Sequence, residues 1–364
     1  MAIIKKYKLG DIGTFKGGIS TLNKERYGQG VKFLNYMDIF RNFYIDDNIN
    51  LKKYNAKESE IEKYNCLWGD AFFTASSETP DEIAFSTLYL SSSPAIFNGF
   101  SKRFRFDHNI LLPKYASYLF RSNSFRHEVQ KYATGYTRFN ISQQDLQKVI
   151  IQIPDLNTQQ SIIDIIEPIE KIISILEKII SKINKKEILI QNFNSDSTNN
   201  KIKNIITKYS NGYAYKKTDI IDAGKYKIFK IRNILDKQQF ELTNLEKNNL
   251  AQPGDVITGL SGTIGSADII TDNNWVNNQR TLLLRTDYSL QVKSAIEYYK
   301  NILLTNATGA AQKNITHNDI MDLNIYIDKY EKHMKNYNLS YVNKLKIINK
   351  LKILKNYLIN FLIK

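Results

Sequence analysis

The chain has 364 residues, 42% hydrophobic and 12% aromatic, which suits two domains with their own cores and excludes a disordered protein. Lys and Arg number 51 against 36 Asp and Glu, and the formal charge of +15 points to an anionic partner, nucleic acid before anionic membrane. A lone Cys66 excludes an intrachain disulfide, and MAIIKKYKLG is too short an apolar opening for a signal peptide, so a soluble, cytoplasmic protein is expected.

Residues 1–155 predict a mixed domain of short strands, with aromatic and β-branched runs at 32–39, 71–75 and 101–106 between polar turns. Tyr115, Tyr118, Leu119 and Phe125 recur at helical spacing and predict a helix over 114–132. Ser142 is placed to cap a short helix at 143–148, and an apolar strand at 149–153 ends at Pro154.

A long helix is expected over 156–193, kinked near Pro168. Its apolar positions 162, 166, 169, 173, 176, 180 and 183 alternate steps of four and three, a heptad seam. Residues 194–203 read as a polar linker, 204–328 as a second strand-rich domain, and 329–364 as a second long helix. There Ile347, Leu351, Leu354, Leu358 and Phe361 match Ile169, Ile173, Leu176, Ile180 and Ile183 at an offset of 178. The fold class expected is α+β, two globular domains joined by two long antiparallel helices that pack as a coiled coil in a pseudo-twofold arrangement.

The two domains are copies. Residues 133–153 (ATGYTRFNISQQDLQKVIIQI) and 307–327 (ATGAAQKNITHNDIMDLNIYI) align without a gap at a separation of 174 (307 − 133), with eight identities in 21 positions. The stretch 226–234 parallels 32–39, and Gly254-Asp255 parallels Gly69-Asp70. The centres of the copies diverge, which suggests one job done on two targets.

Nothing in the sequence assembles a catalytic centre. His108, His127, His317 and His333 form no H-x3-H or HExxH pair, and GxxxxGK[ST] and GxGxxG are missing. Residues 259–265 (GLSGTIG) read as a turn between strands, where Gly supplies positive φ. The divergent centres read better as a surface for base edges and phosphates. Candidates are Lys102, Arg103 and Arg105, expected to face outward while Phe104 and Phe106 enter the core, with Tyr136 and Arg138. In the second copy they are Asn278, Gln279, Arg280, Gln312 and Lys313.

The order domain, helix, domain, helix resembles the specificity (S) subunits of type I restriction-modification systems over essentially the whole chain. Lys8-Leu9-Gly10-Asp11-Ile12 resembles the family's opening, and Gly69-Asp70 and Gly254-Asp255 its internal strand start. The runs 76–85 (SSETPDEIAF) and 97–106 (FNGFSKRFRF), and separately 262–265 (GTIG), are similar to two classes of target-recognition domain. Ser76, Ser77, Glu78, Thr79, Ser261 and Thr263 thereby join the candidate DNA contacts. Gln159-Gln160 stands where the family usually has Glu-Gln, and Asp328 where a Pro would fall.

The resemblance implies a non-catalytic targeting subunit that reads a bipartite site in double-stranded DNA, one half per domain, with the helices as spacer. It implies docking of two methyltransferase (M) subunits and of restriction (R) subunits, which carry S-adenosylmethionine, ATP and Mg; no cofactor and no metal are expected on this chain, and no membrane partner. A type IIB-like targeting subunit shares these features, and a coiled-coil scaffold for protein partners is the alternative from another class.

Overall fold

The computed structural model describes residues 4–20, 23–194, 200–234, 240–247, 250–309, 312–327 and 331–363. It divides into two compact units, Met1–Lys171 with Ile353–Lys364, and Ile172–Lys352, so the division falls within both long helices.

In the first unit five strands run in the order Tyr44–Ile45, Ser86–Tyr89, Ala71–Thr74, Ser101–Phe106, Gly13–Gly17. One face carries a ring cluster in which Phe15 stacks on Phe104 (4.5 Å between centroids) and Phe73 meets Phe120 edge-on (5.0 Å). On the other face Phe72 packs edge-on against Phe97 (4.9 Å), which belongs to a four-stranded sheet of Lys52–Tyr54, Tyr27–Leu34, Ala95–Phe97 and Asn65–Cys66. All four residues of Ala71–Thr74 are buried, so this strand is covered on both faces. Cys66 is buried there, and burial holds its thiol well above its ordinary pKa, as suits a small apolar residue.

Two local expectations change. The run 32–39 is not one strand: the strand ends at Leu34, and Asn35 N–H donates to Asp38 (2.9 Å), opening the helix Tyr36–Arg41. The run 114–132 is two helices, Pro113–Leu119 and Asn123–Gln130, because Ser122 caps the second by accepting from Phe125 N–H (3.4 Å). Ser142 does cap Gln143–Lys148, accepting from Asp145 N–H at 3.0 Å.

The second unit repeats the plan. Its larger sheet runs Lys208–Asn211, Thr281–Arg285, Val256–Gly259, Ala267–Ile269, and its smaller one Glu241–Thr243, Tyr226–Phe229, Trp275–Asn277. The smaller sheets of both units contain one parallel pair, Lys32 opposite Ala95 and Lys227 opposite Trp275. The Gly-rich run is the turn between Val256–Gly259 and Ala267–Ile269, with Gly262 and Gly265 at φ +68° and +72°. Ile202 is fully buried and its N–H donates to Leu323 O (3.0 Å), so the end of the expected linker belongs to this unit. Residues 195–199 of that linker lie outside the described residues.

The first long helix, Leu156–Asn194, spans 39 residues, about 58 Å at 1.5 Å per residue, and continues through Pro168 without a break. The second is Glu331–Leu362. Within the first unit Glu170 pairs with Lys355 (3.4 Å), and Ile163 and Ile166 share a core with Ile359 and Ile363. Within the second, Glu177 pairs with Lys352 (2.6 Å) and Tyr341 donates to Asn184 (2.6 Å). In each unit the helices run antiparallel.

The expected seam holds on the first helix, where Ile173 and Ile180 are buried and Ile169, Leu176 and Ile183 half-buried. On the second it is displaced by one residue. Ile347, Leu354 and Phe361 are exposed, Leu351 and Leu358 half-buried, and the buried residues are Tyr341, Val342, Ile348, Ile359 and Ile363. Tyr341 now corresponds to Ile162, Ile348 to Ile169 and Ile359 to Ile180, an offset of 179 (341 − 162) rather than 178. Burying one such isoleucine contributes roughly 1.5–3 kcal/mol, so the register is strongly preferred.

Candidate nucleic-acid interface

The repeated segment forms a short hairpin with a helix start behind it. Thr134 and Asn140 exchange both backbone hydrogen bonds (3.0 and 2.8 Å), and Thr308 and Asn314 do the same at the same distances. Gly135 and Gly309 sit at φ +128° and +113°, where a side chain would run into the carbonyls of Arg138 and Gln312. The Asn140 and Asn314 side-chain amides donate to those carbonyls (3.5 and 2.8 Å). Ser142 and Thr316 then cap the following helices. The identities of the repeat fall in the hairpin frame, at the acidic third residue of the capped helix and in the segment after it, and Arg138 and Gln312 are not among them.

Each hairpin lies against the same strand end. In the first unit Asn140 pairs with Ser76, and Ile141 N–H donates to Ala75 O (3.0 Å). In the second Asn314 bridges to Ser261, and Ile315 N–H donates to Leu260 O (2.9 Å). A third segment closes the junction, with Ala75 N–H donating to Phe100 O and Leu260 N–H to Arg280 O, both 2.9 Å. Ser76, Phe100 and Arg138 therefore occupy the places of Ser261, Arg280 and Gln312.

The first junction opens onto a groove of about 440 Å³ lined by Ser76, Ser77, Glu78, Glu82 and Arg138 together with Tyr36, Met37, Phe40 and Phe100. Ser77 donates to Thr79 O (2.6 Å), which fixes the turn, and Tyr136 at the hairpin tip is fully exposed. Tyr36 donates to Ser76 O (2.9 Å), and burial raises its pKa. Tyr36, Met37, Phe40 and Phe100 escaped the sequence reading; only the exposure of large apolar side chains beside a polar strand end marks them, and that is a property of the folded surface. Arg121 anchors the helix bearing three of them, donating to the carbonyls of Ile39, Phe40 and Asn42 (2.8, 2.9 and 3.1 Å).

The expected outward row Lys102, Arg103, Arg105 is corrected at Arg103 and Arg105. Lys102 is half-buried, with its ammonium beside Gly17, and does not line the groove. Arg103 is buried and donates to the backbone and side-chain oxygens of Asn65 (2.6 and 2.8 Å). Arg105 meets Asp70 in a two-point ion pair, Nε–Oδ1 and Nη2–Oδ2 both 2.7 Å. The cause is the smaller sheet covering this face, so charged side chains there need buried partners. Asp255 and Arg285 repeat the pair at 2.9 and 2.8 Å, which gives the duplicated Gly-Asp a structural role.

The second junction brings its candidates together. Arg280 Nη1 donates to Gln312 Oε1 (2.8 Å), Gln279 and Arg280 are exposed, and Asn278 is half-buried. The Ser261 and Thr263 hydroxyls are buried without a hydrogen-bond partner among the described residues. Lys313 is exposed and donates to Leu304 O (3.2 Å). Among the described residues no cluster of His, Cys, Asp or Glu could hold a metal ion, and no helix is long and apolar enough to cross a membrane.

Two solved structures align with nearly the whole chain. The S subunit of a type I restriction-modification system from M. genitalium is 14% identical, with a TM-score of 0.49, covering 100% of this chain and 96% of that one. The HsdS subunit from Thermoanaerobacter tengcongensis is 13% identical, with a TM-score of 0.39, covering 99% and 96%. No curated protein matches the chain. Residues 3–185, just over half of the sequence, match the family described as the type I restriction modification DNA specificity domain, and the chain belongs to that family of DNA sequence specificity subunits.

Proposed function

We propose that the chain reads a two-part sequence in double-stranded DNA, one half at each hairpin junction, and places the active sites of partner chains there without catalysing a reaction itself. The observation that carries this reading is the junction built twice on one backbone plan with different side chains at the tip: Arg138 and Phe100 in one unit, Gln312 and Arg280 in the other. A duplicated frame with altered contacts is what two different half-sites require. The charge of +15 supplies attraction to phosphates.

The partners are read as two methyltransferase subunits and restriction subunits, with S-adenosylmethionine, ATP and Mg on those chains. Apolar side chains left exposed on the long helices, Ile353 and Tyr357 in the first unit and Ile172, Ile175 and Ile179 in the second, support a docking role for each unit. The type IIB-like alternative differs only in which partner chains dock.

The test is selection from a randomised duplex pool with the chain bound to its methyltransferase partner. Two short motifs at one fixed spacing are expected, with binding that falls steeply as salt rises. Recovery of no motif, with binding indifferent to salt, would favour a protein scaffold instead.

A further inference from the structure

The two junctions share a backbone but differ in what their tips offer a base edge. Arg138 is exposed at the hairpin tip, and its guanidinium makes no ion pair or hydrogen bond among the described residues. An arginine fork offers donors only. The tip of the second unit carries Gln312, whose amide could in principle face either way. Arg280 settles the matter. It too has only donors, and Nη1 stands 2.8 Å from the amide, so the atom facing it is Oε1 and the Nε2 donors are left for a ligand.

Building on the proposal that both units read DNA, we infer that positions 138 and 312 are equivalent specificity-determining positions and that each selects guanine. Guanine shows two acceptors, N7 and O6, in the major groove, whereas adenine pairs its N7 acceptor with an N6 donor. Arg138 fits the guanine pair with its fork. Gln312 would ordinarily take adenine by accepting from N6 and donating to N7. Here its oxygen is engaged by a guanidinium, and an adenine N6–H brought to the same oxygen would approach a positive charge. Arg280 and the Nε2 of Gln312 together present donors, which matches N7 and O6. In the first unit Glu78 lines the same groove as Arg138 and supplies an acceptor for the N4 amino group of the paired cytosine.

The experiment compares motifs recovered from a randomised duplex pool by the chain with its methyltransferase partner, for the wild type, Arg138→Gln, Arg138→Lys and Gln312→Glu. Both positions are exposed, so the variants should melt with the wild type. The wild type should return a guanine in each half. Arg138→Gln should lose about tenfold or more of the preference for one guanine, in one half only, and Arg138→Lys, which still offers donors alone, should lose less. Gln312→Glu replaces the Nε2 donors with a carboxylate oxygen, an acceptor that meets the guanine acceptors unfavourably, and should do to the other half what Arg138→Gln does to its own. A half-site without guanine, or an Arg138→Gln motif identical to the wild type, overturns the inference while two motifs at fixed spacing leave the DNA-reading function standing. So does a uniform loss of affinity at Arg138→Gln with unchanged base preference, which assigns that side chain to phosphate. A wild type returning no motif overturns both.

Discussion

Gln159 and Asn338 do the same work 179 residues apart (338 − 159). Gln159 Oε1 accepts from Leu112 N–H at 2.8 Å, and its amide donates to the carbonyls of Ile110 (2.9 Å) and Pro154 (2.8 Å). Asn338 Oδ1 accepts from Leu290 N–H at 2.8 Å, and its amide donates to Gln291 (2.7 Å) and to the carbonyl of Met334 (2.9 Å). Each long helix thus ties one buried amide to the start of a shorter helix in its own unit. Gln159→Ala and Asn338→Ala leave those N–H groups buried without a partner, so each should cost about 1–3 kcal/mol. Chemical denaturation followed by intrinsic fluorescence measures it, and the two losses should be similar.

Gly135→Ala and Gly309→Ala put a Cβ where the Arg138 and Gln312 carbonyls stand, on backbone already at positive φ. The expected strain is about 1–3 kcal/mol, relieved by shifting the tip. Because the hairpins are exposed, melting should change little. Each variant should instead lose base preference in one half-site, read by pool selection, and leave the other half as it was.

Glu187 is buried in the second unit, and burial raises its carboxyl above the ordinary value of 4.5, with Gln291 and Gln191 pulling partly back. A raised acid favours the folded state fully below its unfolded pKa, and that contribution is lost as pH rises through the folded one. Stability from this group should therefore fall from the ordinary glutamate range upward through the raised value. Glu187→Gln should remove that slope and be the more stable protein at neutral pH, as denaturant midpoints taken from pH 4 to pH 7 would reveal.

If the long helices separate the half-sites, adding one heptad to each at facing positions lengthens them by about 10 Å. Pool selection should return both half-motifs unchanged with a gap wider by about three base pairs. An unchanged gap would remove the spacer role from the proposal.

Much of the frame was legible because its constraints are local. A hairpin that turns through positive φ needs Gly135 and Gly309, and a helix start needs Ser142 or Thr316, so these residues recur at a fixed interval. The helix register was not legible in the same way. The seam of Ile347, Leu351, Leu354, Leu358 and Phe361 is apolar throughout, whereas the seam one residue on carries Lys352 and Lys355, which pair with Glu177 and Glu170, so counting apolar positions favours the wrong one. Asn338, a polar residue outside the heptad pattern, is tied into the module and agrees with the seam that is buried. Arg103 and Arg105 fit an outward face by alternation alone, and their inward turn depends on Asn65 and Asp70, some 35 to 40 residues away and brought close only by the second sheet.

The hairpins are closed by backbone bonds between Thr134 and Asn140 and between Thr308 and Asn314, which no tip side chain helps to make. Replacing Arg138 or Gln312 therefore leaves the folding equilibrium nearly where it was. If these positions choose the bases, as we infer, a lineage carrying this protein acquires a new DNA target by a single codon change that is almost neutral for folding, with selection acting on recognition alone.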